Sequence, residues 1–196
     1  MDFGYVIRSA ILQIVVFSIF PVIWWLIKGR KSDGFFRYFG LTKPHLTDNR
    51  AVYAILVYCV IWAVTHLPIF AKYTQPSASA YLGFGISALL PAFIASFFQQ
   101  GFAEEILFRG FINKRLNSKL GFQFGNIIHA LMFAGMHIVF SSDLTLLGGT
   151  IAVFTTFIGG YALAYLSERT FDGSIIPGIV LHGLGNFTVC AIQAFS

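Results

Sequence analysis

The residues best suited to chemistry lie in the stretch AEEILFRG, Ala103 to Gly110, where two carboxylates and one guanidinium interrupt apolar sequence running from about Gly85 to Ile112. An ionised side chain at the centre of a bilayer costs about 3 kcal/mol on insertion scales, so these charges need compensation. On a helix Glu105 and Arg109 are four residues apart, about 40° around the axis, and can pair; Glu104 is about 140° from Arg109 and faces elsewhere. The arginine therefore holds Glu105 ionised and leaves Glu104 as the first candidate for a general base. A structural salt bridge tying helices together would use a Glu/Arg pair too, but has no need of the second acid.

Three further polar residues sit in apolar runs downstream. His137 closes the sequence FAGMH, and His182 and Asn186 are four residues apart in HGLGN. Depth relates them to Glu104. Glu104 is eight residues before an expected membrane boundary near Ile112 and His182 is eight residues after one at Ser174, so both lie roughly 12 Å deep at 1.5 Å per residue. Glu104 and His137 are each about sixteen residues from a turn expected at Leu120 and Gly121, which sets them level in an antiparallel hairpin. A carboxylate and an imidazole can bind and deprotonate a water, while a second imidazole and an amide can donate to the oxygen of a tetrahedral intermediate. This is a residue set for hydrolysing an amide without a Ser or Cys nucleophile. Taken singly, an intramembrane His or Asn also serves as an interhelical hydrogen-bonder.

The same two Glu, two His and one Asn could hold zinc, the alternative chemistry. The spacing is not HExxH, however, the carboxylate is on a different helix from either histidine, and Asn is a poor zinc ligand but a good oxyanion donor. The expectation is metal-independent, glutamate-dependent hydrolysis with no cofactor. His129 has no partner that the sequence names and is read as structural; His66 is read as interfacial. Cys59 and Cys190 lie in separate apolar runs without metal-ligand spacing and are expected to be buried and inert.

The elements that must position these groups follow from composition. Of 196 residues, 57% are hydrophobic and 11% charged, with 23 Phe, and mean hydropathy is +0.75. Too few polar residues exist to cover a water-soluble globule, so the expected fold is an all-α polytopic membrane bundle forming a single domain over residues 1–196. About six transmembrane helices are expected, near residues 5–27, 51–70, 85–112, 122–140, 144–166 and 174–195. The first is read as a retained helix and ends at the interfacial pair Trp24 and Trp25. Gly148, Gly149, Gly159 and Gly160 give the fifth a packing duty.

The formal charge of +5 does not point to nucleic acid, because six of the thirteen Lys and Arg residues fall between Lys28 and Arg50, in one connection. That connection alternates bases with Phe35, Phe36, Tyr38 and Phe39, and suits an anchoring loop or a segment lying on an anionic membrane surface. Basic residues concentrate in the odd-numbered loops, which makes those loops cytoplasmic and both termini external.

The order EEILFR, FAGMH and HGLGN on successive membrane helices, with the FRGF continuation Phe108 to Phe111, resembles the EExxxR, FxxxH and HxxxN motifs of the CPBP (Abi) intramembrane proteases. That family includes the eukaryotic CAAX prenyl endopeptidase and bacterial proteins tied to bacteriocin processing and self-immunity. The resemblance covers about residues 85–190, leaving the first two spans and the basic loop outside. It implies that Glu104 and His137 activate the water, that His182 and Asn186 form the oxyanion site, and that Glu105 and Arg109 hold it in shape. The implied partners are the membrane and a peptide or protein substrate, lipidated or not. A non-catalytic immunity or scaffold protein, binding a peptide through the same polar cluster, is the alternative, and a proton-coupled transporter a more distant one.

Overall fold

The computed structural model describes residues 2–44, 49–72, 76–138 and 145–196, with the side chains of 66–77 outside the description. All regular structure among the described residues is helical. In hydrocarbon this is the expected solution, since a helix satisfies its backbone polar groups within one segment. The elements in chain order are α1 (Phe3–Trp24), α2 (Phe35–Tyr38), α3 (Asn49–Lys72), α4 (Pro76–Ser79), α5 (Leu89–Ile94), α6 (Ala103–Glu105), α7 (Lys114–Ile138), α8 (Leu146–Tyr165) and α9 (Ile176–Ala194). Wider π-type turns continue several of them, at Trp25–Gly29, Ala95–Phe102, Ile106–Asn113 and Leu166–Thr170.

Among the described residues, four stretches are long and apolar enough to cross a membrane: Phe3–Gly29, Gly85–Ile138, Leu146–Thr170 and Ile176–Ala194. The second contains two of the expected spans, because Gly121 breaks it with φ 74° and ψ 163°, a left-handed conformation open to glycine. The expected turn is therefore present. Helix α3 stands where the remaining span was expected, and its apolar run, Asn49–Thr65, is shorter than those four. Along α1 the side chains of Ile11, Leu12, Val15, Val16 and Ile19 are each more than half exposed, as suits a helix whose solvent is lipid. Residues 139–144, where the fourth span was to end and the fifth to begin, lie outside the described residues, as does the side chain of His66.

The chain divides into two compact units. The first comprises Met1–Pro44, Gln75–Phe111 and Ser174–Ser196. Here α1 packs on the Ala95–Phe102 segment, with Gln13 Oε1 accepting from Gln99 Nε2 at 3.2 Å. On its other side that segment meets α9 through glycine: a Cβ at Gly101 would lie 3.0 Å from the Ile179 carbonyl oxygen and 3.4 Å from the Gly183 Cα, and one at Gly183 would lie 2.6 Å from the Phe97 ring. Only the missing side chains let the two backbones come so close.

The basic connection also makes internal contacts that neither reading of it supplied. Phe39 is fully buried, its ring 4.9 Å from that of Phe35, and Phe35 in turn packs edge-on to Trp25. Gly40, at φ 73°, turns the chain so that its carbonyl accepts from the Ile175 amide at 2.8 Å, and Ser174 Oγ donates to the Thr42 carbonyl at 2.6 Å. A Cβ at Gly110 would stand 2.8 Å from the Phe39 carbonyl oxygen. The segment is thus a strap pinned to the start of α9 and to the helix carrying Arg109. Its aromatic residues are divided between the core and the surface, Phe36 being 67% exposed.

The second unit, His45–Thr74 and Ile112–Gly173, contains α3, α7 and α8. Gly148, Ala152, Thr155, Gly160 and Ala164 form the buried face of α8, in keeping with the packing duty read from its glycines. Asn126 Nδ2 donates to the Tyr161 carbonyl at 3.1 Å, and Lys114 Nζ bonds both Glu168 Oε1 and the Gly173 carbonyl at 2.8 Å. His129 is fully buried and stacks on Phe133, consistent with a structural role. Of the two thiols, Cys190 is buried as expected, but Cys59 is exposed. The apolar run of α3 that carries it faces outward there, and run hydrophobicity alone does not distinguish a lipid-facing position from a core one.

Candidate active site

The paired acids occupy α6, a single α-helical turn between two π-type segments. Such wide turns inside helices recur at functional sites because they redirect side chains that a regular helix would stagger. Glu105 and Arg109 are both fully buried and pair through Oε1 and Nη1 at 2.9 Å, as the four-residue spacing predicts. Glu104 is 6% exposed and points to a different neighbour.

That neighbour is His182. Its Nδ1 lies 2.9 Å from Glu105 Oε1, the same oxygen that faces Arg109, while its Nε2 lies 3.8 Å from Glu104 Oε2. The meeting expected from depth therefore occurs, with an addition that depth did not supply: the imidazole lies between both acids. An ionised carboxylate only accepts, so the Nδ1 of His182 carries the proton in this contact. The Arg109–Glu105–His182 series then fixes both the ring plane and its tautomer, leaving Nε2 turned toward Glu104 at more than hydrogen-bond distance. Asn186 follows one turn later on the same face of α9, about 40° around from His182, and is half-buried.

His137 belongs to the second unit. Its Nδ1 lies 2.8 Å from the carbonyl oxygen of Phe133, and the two rings are 4.7 Å apart. A carbonyl accepts, so Nδ1 bears the proton and Nε2 is the basic nitrogen of the neutral ring. The four-residue spacing of FAGMH has a local cause: one residue supplies both the acceptor that selects the tautomer and the ring that supports it.

Several positioning features escaped the residue-by-residue reading. Gly101 and Gly183 set the distance between the acid helix and α9, and Gly183 stands directly after His182, so the glycines inside HGLGN were the available signal. The FRGF continuation is explained in the same way. Gly110 admits the Phe39 carbonyl, while Phe111 packs edge-on against Phe20 and Trp24 of α1, at 5.5 and 5.9 Å. Among the described residues no three His, Cys, Asp or Glu side chains are grouped so as to hold a metal ion.

A family model, type II CAAX prenyl endopeptidase Rce1-like, matches residues 86–188, more than half of the chain. The chain belongs to this Rce1-like family. The matched region contains all three motifs, Glu104 to Arg109, Phe133 to His137 and His182 to Asn186. This member is accordingly a multi-pass membrane protein of a protease family. Comparison with curated proteins and with solved structures gives no match.

Proposed function

We propose that this protein is an intramembrane endopeptidase that hydrolyses a peptide bond of a membrane-associated protein or peptide, with Glu104 as the general base. The observation that carries the proposal is the series Arg109–Glu105–His182–Glu104, in which one acid is bound to a cation and an imidazole and the other faces the outer nitrogen of that imidazole. Glu104 takes a proton from a water, and the resulting hydroxide attacks the carbonyl carbon. The proton then passes to the leaving amine as the C–N bond breaks. His137 is assigned the second share in holding the water, on its register in the sequence and on the basic Nε2 that Phe133 leaves it.

His182 and Asn186 are assigned to the developing oxyanion. For His182 this requires a proton on Nε2 as well as on Nδ1. The family description makes a prenylated CAAX peptide the first substrate to try. The purified protein in detergent should cleave such a peptide, and Glu104→Gln, which keeps the size of the side chain but removes the base, should abolish cleavage while retaining the wild-type melting profile. Retained turnover in Glu104→Gln would end the proposal. A parallel unprenylated peptide decides whether the lipid is recognised.

A further inference from the structure

Hydrolysis consumes one water per bond, and this site is set among apolar helices, so the water needs a route. The first unit contains a second set of buried polar side chains that the chemistry above does not use. Beyond His182 and Asn186, α9 continues its polar face with Cys190, 4% exposed, and Gln193, 9% exposed. The helix opposite carries Gln100 one turn before Glu104 and fully buried Ser96 one turn before that. The two helices run antiparallel, as the contacts show: Glu105 meets His182, Gly101 meets Gly183, and Phe93 meets Phe187. The Ser96 hydroxyl is buried without a hydrogen-bond partner among the described residues, and the Gly83 amide donates to the Gln193 carbonyl at 3.3 Å. Tyr81, two residues before Gly83, is 5% exposed.

We infer that Ser96, Cys190 and Gln193, continuing the line of Glu104, His182 and Asn186, form a hydrated ladder that carries water from the C-terminal end of α9 to the buried acids. From His182 to Gln193 the ladder is roughly 16 Å long at 1.5 Å per residue. A lipid-facing helix gains nothing from burying such groups, and a dry interface would penalise them: the side-chain oxygen Oε1 of Gln193 is buried without a hydrogen-bond partner among the described residues. Buried water normally occupies positions of this kind, bonding two to four polar groups that the protein leaves unmatched. Gln193 is thus the entry gate and Ser96 with Cys190 the relay step, while Phe93, Phe97 and Phe187 line the neighbouring contact and keep it narrow. The inference rests on the hydrolytic reading of Glu104 for its purpose, but its structural content can be tested without turnover.

The test uses the full chain with Cys59→Ala, which leaves Cys190 as its one thiol. Hydroxyl radicals are generated by brief X-ray exposure in detergent, and oxidation of Cys190 is read by mass spectrometry beside cleavage of the prenylated peptide. A hydrated ladder predicts rapid oxidation of Cys190 despite its burial, equal in the Glu104→Gln protein. Gln193→Leu with Ser96→Val should slow oxidation and lower kcat by about tenfold, the equivalent of one hydrogen bond to water, with KM unchanged. Gln193→Asn should preserve both. If the double variant does not fold, Ser96→Ala provides the same two readouts. Inert Cys190 in the folded wild type, or full turnover and oxidation in the double variant, overturns the ladder. Gln193-dependent oxidation in a protein that cleaves nothing leaves the ladder standing and removes the hydrolytic reading instead.

Discussion

Oε1 of Glu105 stands 2.9 Å from Nδ1 of His182 while accepting Arg109 at the same distance, so one buried oxygen joins the helix of the acids to α9. Removing the cation should leave the buried carboxylate without its counter-charge. Arg109→Ala is expected to lower stability by about 3–5 kcal/mol and to lose activity with it. Replacing the whole pair, Glu105→Leu with Arg109→Leu, should recover much of the stability yet remain inactive, because His182 no longer has the acceptor that fixes its tautomer. Thermal unfolding in detergent beside peptide cleavage separates the two effects. A stable Arg109→Ala protein would show that the pair is dispensable to the fold.

The distance between these helices is set by glycine, which gives a second prediction. A methyl group at Gly183 would lie 2.6 Å from the Phe97 ring, and one at Gly101 would lie 3.0 Å from the Ile179 carbonyl oxygen. Gly183→Ala must displace Phe97 or the helix, moving His182 away from Glu105. A shift of an ångström at such a site costs about 10²-fold in rate, so kcat should fall by that order while the protein still reaches the membrane. Gly135→Ala, where a Cβ meets nothing within 4 Å, is the matched control and should leave kcat within about twofold.

The Glu105–Arg109 pair was legible in the sequence because four-residue spacing is local geometry, and Gly121 was legible as a turn because its consequence is local too. The contact of His182 with Glu105 was not. Depth brought the histidine to the level of the acids, but which acid it meets depends on rotation about each helix axis, and the π-type turns on both sides of α6 alter that rotation. Nor could alternation of bases and aromatic residues reveal that Phe39 is buried while Phe36 is exposed; that division follows from Gly40 and from hydrogen bonds to Ser174 and Ile175, over 130 residues away in sequence. Cys59 failed for a related reason: in a bilayer, apolar sequence does not mean core.

Orientation gives a third prediction, resting on loop charge alone. The connection from Lys28 to Arg50 and the loop from Lys114 to Lys119 carry nine of the thirteen Lys and Arg residues and should be cytoplasmic. In a Cys59→Ala, Cys190→Ala background, single cysteines at Ser32 and Ser118 should resist a membrane-impermeant thiol reagent in intact cells, while one at Ser77 should react. Ser32 and Ser118 both bond their oxygens to nearby backbone carbonyls, at 2.9 Å in each case, and tolerate substitution with the loss of one local contact. The reverse labelling pattern would invert the topology and place both termini in the cytoplasm.

The last prediction separates two chemistries that would use the same residues. In a zinc hydrolase the metal would need three protein ligands and a water, with Glu104 and the histidines as the available donors. The geometry gives those donors other duties: His182 Nδ1 is directed to Glu105, Glu105 is bound to Arg109, and His137 Nδ1 is directed to the Phe133 carbonyl. Each ring presents Nε2 to any further partner. For glutamate-dependent hydrolysis, Asn186→Ala should lower kcat by about 10²–10³, the scale of one oxyanion donor, with a small change in KM. Glu104→Asp, which keeps the carboxylate but withdraws it, should retain a trace of activity that Glu104→Gln lacks. Protein passed over a strong chelator should retain its rate, and metal analysis should find less than one zinc per chain. If chelation removed a stoichiometric metal together with activity, and added zinc restored both, Glu104 would have to be reassigned from base to ligand or to partner of a metal-bound water.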